Sequence, residues 1–169
     1  MKQKRVFLMS GCPGSGKSTW VRERIAKYGG YHVSRDEIRF SLLDKYGGDY
    51  FSHEDEVINT FYNNINELLD SDEQCVDIYV DATHLTRAAR MNVLNRIHKE
   101  KAYLIAVWFD APLELCLYRN KLRTGRAIVP DKTIEEMYNR ARKPSIHDFD
   151  EVWTINANGD KVLEEGLLI

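Results

Sequence analysis

Arg5-Val6-Phe7-Leu8-Met9-Ser10-Gly11-Cys12-Pro13-Gly14-Ser15-Gly16-Lys17-Ser18-Thr19-Trp20 decides the fold. Its first six residues are almost continuously apolar, the pattern of a short strand buried on both faces of a parallel sheet. The next eight fill every position of GxxxxGK[ST], and the helical pattern of Trp20, Val21 and Ile25 follows directly. Strand, glycine loop and helix in that order make a phosphate-binding P-loop. The glycines let the backbone wrap an anion with its N–H groups inward, Lys17 reaches the β and γ phosphates, and the Ser18 hydroxyl ligates magnesium. Gly11, Pro13, Gly14, Ser15, Gly16, Lys17, Ser18 and Thr19, with Arg119 from later in the chain, are the expected nucleotide-binding residues, with ATP and Mg2+ as the ligands. A dinucleotide frame GxGxxG starting at Gly14 fails, because it needs glycine where Thr19 stands. Asn120-Lys121-Leu122-Arg123 begins like a guanine-reading NKxD motif but has Arg123 in place of the aspartate, so ATP is favoured by default.

Short apolar runs recur at Tyr31 to Ser34, Cys75 to Val80, Tyr103 to Phe109 and Val152 to Ile155. Between them Val57, Phe61, Ile65 and Leu68, and then Ala89, Val93 and Ile97, each form one apolar helical stripe. The alternation predicts an α/β fold of the P-loop NTPase type, adenylate-kinase-like, with a five-stranded parallel sheet and helices on both faces. Gly29-Gly30 and Gly47-Gly48 read as helix stops. From Asp44 to Asp55 no periodicity guides a reading, although Tyr46, Tyr50, Phe51 and His53 lie there.

The 169 residues, 43% hydrophobic and 30% charged, suit one domain over residues 1–169, with a lid over approximately 112–143. A formal charge of -2 argues against a broad basic face that coats nucleic acid. No apolar run reaches the roughly 18 residues needed to cross a bilayer, and no leader pattern stands at the start, so a cytoplasmic location and no membrane partner are expected. Cys12, Cys75 and Cys116 are odd in number and widely spaced, which suggests reduced thiols, no zinc site and no disulfide-linked partner.

A kinase also needs an acceptor site. Ser34 and Glu37 have the spacing of a helix capping box. Asp36 is left free at the carboxyl end of a predicted parallel strand, where open α/β sheets place ligands, and a carboxylate there can take a hydroxyl proton. Arg39 shares its helix face and could hold an anionic group of the acceptor; the same spacing equally suits a surface ion pair. GCPGSGKSTW at 11–20, Arg35-Asp36-Glu37-Ile38-Arg39, Asp81-Ala82-Thr83-His84-Leu85, Arg119-Asn120, Arg123 and Val129-Pro130 together resemble the kinase domain of phage-type polynucleotide 5′-hydroxyl kinases over roughly residues 5–156. The resemblance implies Asp36 as general base for the 5′-hydroxyl and Arg39 as a contact to the acceptor's phosphate. It also implies Thr83 and Arg90 as substrate-side residues, although Arg90 reads equally as an exposed helix arginine. Asp81 ends the third predicted strand and is the second candidate carboxylate; the family's acid stands one residue later, where this chain has Ala82.

Arg119 and Arg123 lie four apart on a predicted helix from Pro112, and Arg126 follows in a loop. Arginines on a mobile segment can stabilise a transferring phosphoryl group, so Arg119 and Arg123 join Lys17 and Asp36 as catalytic candidates. His84 reads as a rim histidine with one local hydrogen bond. Trp20, Trp108 and Trp153 read as packing, and the acids around His53 as a first helical turn. The expected activity is transfer of the ATP γ-phosphoryl to the 5′-OH end of DNA or RNA. The bifunctional phage enzymes add a DxDGT phosphatase motif that this stretch lacks. The alternatives are a kinase of a nucleoside, a sugar or a tRNA-linked substrate, and a nucleotide-dependent binding module without transfer.

Overall fold

A computed structural model describes residues 3–166. Strand β1 (Lys4–Ser10) runs into the glycine loop and helix α1 (Lys17–Tyr28). Then come β2 (Tyr31–Ser34), α2 (Arg35–Tyr46), α3 (Glu54–Asp70), β3 (Val76–Asp81), α4 (Arg87–Arg96) and β4 (Tyr103–Asp110). The chain ends through α5 (Leu113–Lys121), α6 (Asp131–Arg140), β5 (Glu151–Asn156) and β6 (Lys161–Gly166). The strands form one sheet in the order β2-β3-β1-β4-β5-β6.

The sheet has six strands, not the expected five, and is mostly parallel, because β6 joins β5 antiparallel. Lys161 to Gly166 carries only two apolar residues, Val162 and Leu163, both exposed, so no burial pattern announced it. A different signal did stand there. Asn158-Gly159 is a hairpin dipeptide, and Gly159, at φ 85, donates its N–H to the Asn156 carbonyl at 3.0 Å.

Alternate residues of β1 enter two cores. Val6 and Leu8 pack with Phe61 and Ile65 of α3 and Val93 of α4; Phe7 and Met9 pack with Trp20 and Val21 of α1 and with Trp153. Helices therefore cover both faces, as the alternation requires. A third cluster of Cys12, Leu85, Ala111, Cys116 and Ile134 seats α5 and α6 against the glycine loop. The parallel register sets Ser34 beside Asp81 and Ser10 beside Trp108, which collects the ends of β1, β2, β3 and β4 along one edge. Gly29 and Gly47 do end α1 and α2, each at positive φ and each donating its N–H to a carbonyl four residues back.

Candidate functional site

The glycine loop holds its shape by close approach. Gly14 sits at φ 81, and a Cβ there would lie 2.6 Å from the Cys116 carbonyl oxygen. Gly16 at φ 101 precedes α1, whose first turn has no side-chain cap, so its free N–H groups are available to an anion. Buried Lys17 turns its Nζ back onto the carbonyls of Gly11 at 2.8 Å and Cys12 at 2.9 Å. Burial lowers its pKa, with the Asp81 charge working against that. A lysine so placed has no carboxylate partner among the described residues and is ready to exchange two neutral carbonyls for phosphate oxygens.

Ser18 donates its hydroxyl to Asp81 Oδ2 at 2.8 Å, and His32 Nε2 meets the same oxygen at 2.8 Å. Burial alone would raise the Asp81 carboxyl; the His32 hydrogen bond, the Lys17 charge and Ser18 outweigh it and hold the group below its usual range. Ser18 and Asp81 are thus the oxygen pair nearest the loop that suits Mg2+. Among the described residues no cluster of three or more His, Cys, Asp or Glu could hold a metal alone. His32 went unread in the sequence, because a strand histidine carries no motif.

Two cavities flank the loop. One, of about 470 Å³, is lined by Gly14 to Thr19, Arg119, Arg123 and the β5–β6 turn. The other, of about 830 Å³, is lined by Pro13, Asp36, Arg39, Thr83, Arg123 and a largely apolar wall. Arg123 borders both. In the second, Asp36 is 59% exposed and its Oδ1 accepts from Arg39 Nη1 at 2.6 Å and from the Tyr50 hydroxyl at 3.0 Å. Arg39 is nearly buried; its other nitrogen makes a two-pronged bond to Glu54 at 2.9 and 3.0 Å, and its guanidinium lies 4.3 Å from the Tyr50 ring. Burial and the Asp36 carboxylate push Tyr50 up to about 12, so it stays a proton donor. The network fixes the position of the Asp36 carboxyl group at the cavity edge. Ser34 caps α2 by accepting from Glu37 N at 3.2 Å, which is half of the capping box; the Glu37 carboxylate faces His32 instead.

The stretch between Asp44 and Asp55, where no periodicity guides a reading, therefore supplies Tyr50, and the acidic first turn of α3 supplies Glu54; Tyr50 contacts both Arg39 and Asp36, and Glu54 holds Arg39. Asp44 pairs with Arg126 at 2.7 and 3.1 Å, and Arg126 lies 4.6 Å over Phe40, so the end of α2 touches the α5–α6 connection. Helix α5 ends at Lys121, so Arg123 lies beyond it and not on a shared helical face with Arg119. Arg119 donates to Ala157 O at 2.7 Å and Gly14 O at 3.4 Å, while Arg123 reaches Ala127 O at 3.4 Å.

Thr83 lines the larger cavity and its carbonyl accepts from Gly11 N at 2.9 Å. Arg90 sits elsewhere: it is 2% exposed and donates to the His84 carbonyl at 2.9 Å, pinning the loop after β3 behind the cavity. His84 is no rim residue. It is buried at φ 41, bonded through Nδ1 to Met9 O at 2.7 Å, and burial lowers its pKa to about 4.

Residues 6–144 match the family model described as "AAA domain". Among solved structures the chain is similar to a putative kinase from Chloroflexus aurantiacus J-10-fl, with 15% identity, 92% of this chain and 86% of that one covered, and a TM-score of 0.71. It is similar to a chain of the Pnkp1/Rnl/Hen1 RNA repair complex at 25% identity and a TM-score of 0.68, over 83% of this chain and 44% of that one. A gluconokinase from Sinorhizobium meliloti 1021 shares 14% identity over 93% of this chain and 85% of its own, with a TM-score of 0.58. The low-identity matches establish a P-loop kinase-like fold.

Proposed function

The chain belongs to the AAA-domain family, and we propose that it transfers the γ-phosphoryl group of ATP to the 5′-hydroxyl of a DNA or RNA end. The observation that carries this reading is the junction of two cavities at Arg123, with Lys17 on the donor side and Asp36 on the acceptor side. The loop N–H groups and Lys17 would hold the triphosphate, and Ser18 with Asp81 would hold Mg2+, which would supply charge neutralisation to the phosphates. Asp36 accepts the hydroxyl proton as the acceptor oxygen attacks the γ-phosphorus, and the bond from that phosphorus to the β–γ bridging oxygen breaks to release ADP. Arg123 and Arg119 offset the charge that spreads over the transferring oxygens.

The acceptor wall favours a nucleoside over a bare sugar. Phe40, Phe51, Ile128 and Met137 offer a flat base an apolar seat, whereas a sugar alone would leave its hydroxyls facing carbon. The RNA repair complex chain, at 25% identity, adds support for a nucleic-acid acceptor, although the present chain spans only 44% of it. Incubation with γ-labelled ATP and Mg2+ should label 5′-hydroxyl oligonucleotides. Label appearing only on a free sugar would overturn the reading.

A further inference from the structure

A hydroxyl that is to face a cation beside the glycine loop works against its surroundings. Ser18 is the second residue of α1 and follows Lys17, so the helix N-terminus and the ammonium both favour anions there. The carboxylate in contact with Ser18 is the nearly buried Asp81, whose Oδ2 accepts the hydroxyl proton at 2.8 Å. That bond has two effects. It sets a negative charge beside the hydroxyl, and it fixes the hydroxyl rotor, so that the oxygen's lone pairs are free of the proton's direction. Ser18 lines the nucleotide cavity, whereas Asp81 does not and supports it from outside the wall.

The same Oδ2 takes a second bond, from His32 Nε2 at 2.8 Å. His32 stands on β2, the edge strand of the sheet, and the parallel register that sets Ser34 beside Asp81 brings the ring two residues back within reach of the end of β3. Its other nitrogen lies 3.8 Å from the Glu37 carboxylate, whose side chain is 66% exposed, so the firm bond is the one to Asp81. His32 lines neither of the two cavities and so acts on their contents only through another group. We infer that His32 is a positioning residue of the donor site: it holds Asp81 against Ser18 and thereby readies the Ser18 oxygen for Mg2+. The inference rests on the ATP and Mg2+ half of the proposed function and is independent of the acceptor. Hydrogen-bond partners one step removed from a metal-binding group set that group's orientation, and losing one typically costs about 10–100-fold in metal affinity.

The test is the gain in ATP affinity that Mg2+ confers, taken as the ratio of Kd in EDTA to Kd in Mg2+ and measured by calorimetry without acceptor. His32→Gln and His32→Asn compare two amides of different reach: glutamine can put its side-chain nitrogen where Nε2 stands, whereas asparagine falls short of Asp81. His32→Asn should cut the gain about 10-fold, the low end of the range for such a partner, with ATP affinity in EDTA unchanged. His32→Gln should keep most of the gain. A wild-type gain in His32→Asn, an equal loss of affinity with and without Mg2+, or a His32→Gln no better than His32→Asn would overturn the inference. Asp81→Asn separates it from the reading on which it rests. Loss of the gain in Asp81→Asn but not in His32→Asn overturns the role of His32 alone, and no loss in either variant removes the Mg2+ role of Asp81 as well.

Discussion

Replacing Glu54 by Gln should unsettle the acceptor site from a distance. Arg39 is 4% exposed and carries two carboxylate partners, Glu54 through both oxygens and Asp36 through one. Glutamine keeps the shape but removes the charge, so a buried guanidinium is left leaning on Asp36 alone. Breaking a fully buried pair costs about 3–5 kcal/mol. The Glu54 side chain is 31% exposed, so water recovers part of that, and a loss of roughly 1–3 kcal/mol is expected. For a chain of this size that corresponds to a fall in Tm of roughly 3–10 °C. With Arg39 drawn more tightly onto Asp36, its carboxyl group should also be less free to meet the acceptor hydroxyl, lowering kcat while the KM for ATP is preserved. Thermal unfolding and steady-state transfer check the two halves. A Tm within about 1 °C of wild type, with unchanged kcat, would show that the contact is only a loose surface pair and would refute the reasoning.

Gly14→Ala should weaken ATP binding at least about 10-fold by calorimetry and lower Tm, because the new Cβ meets the Cys116 carbonyl at 2.6 Å on a backbone at φ 81. His84 has a folded pKa near 4 against an ordinary 6.5, so the unfolded chain takes up its proton first as pH falls. Its contribution to stability is present above pH 6.5 and is lost as pH falls towards 4, by about 1.6 kcal/mol between pH 6.5 and 5. Urea unfolding at both pH values should show the drop, and His84→Asn, which tolerates the positive φ, should lessen it. Burial raises the Cys12 thiol to about 11 and also raises Cys116, whereas Cys75 is exposed. A thiol reagent at pH 8 should therefore modify one cysteine quickly, with mass spectrometry placing the label on Cys75.

What the sequence made legible follows the kind of signal each element carries. The glycine loop is read from a fixed spacing, and the five parallel strands from short apolar runs, because burial on both faces leaves no room for polar residues. Strand β6 escaped because an exposed edge strand needs no apolar pattern, and the Asn158-Gly159 turn had to be weighed instead. Asp36 and Arg39 were singled out in the sequence, but the groups that contact them, Tyr50 and Glu54, were not, since these meet α2 only in three dimensions. Arg90 and His84 mislead for a related reason. Each was placed at the surface, Arg90 beside substrate or on an exposed helix face and His84 at a rim, and spacing alone does not reveal the burial and the bonds to backbone carbonyls that the structure shows.

The central claim is that Asp36 takes the proton of an attacking 5′-hydroxyl beside a P-loop that holds the donor. Asp36→Asn, assayed with γ-labelled ATP and a 5′-hydroxyl oligonucleotide, tests it most directly when ATP affinity is measured on the same sample. Transfer should fall at least about 100-fold, the usual worth of a general base, while ATP binding stays at the wild-type level. Transfer at the wild-type rate would contradict the account.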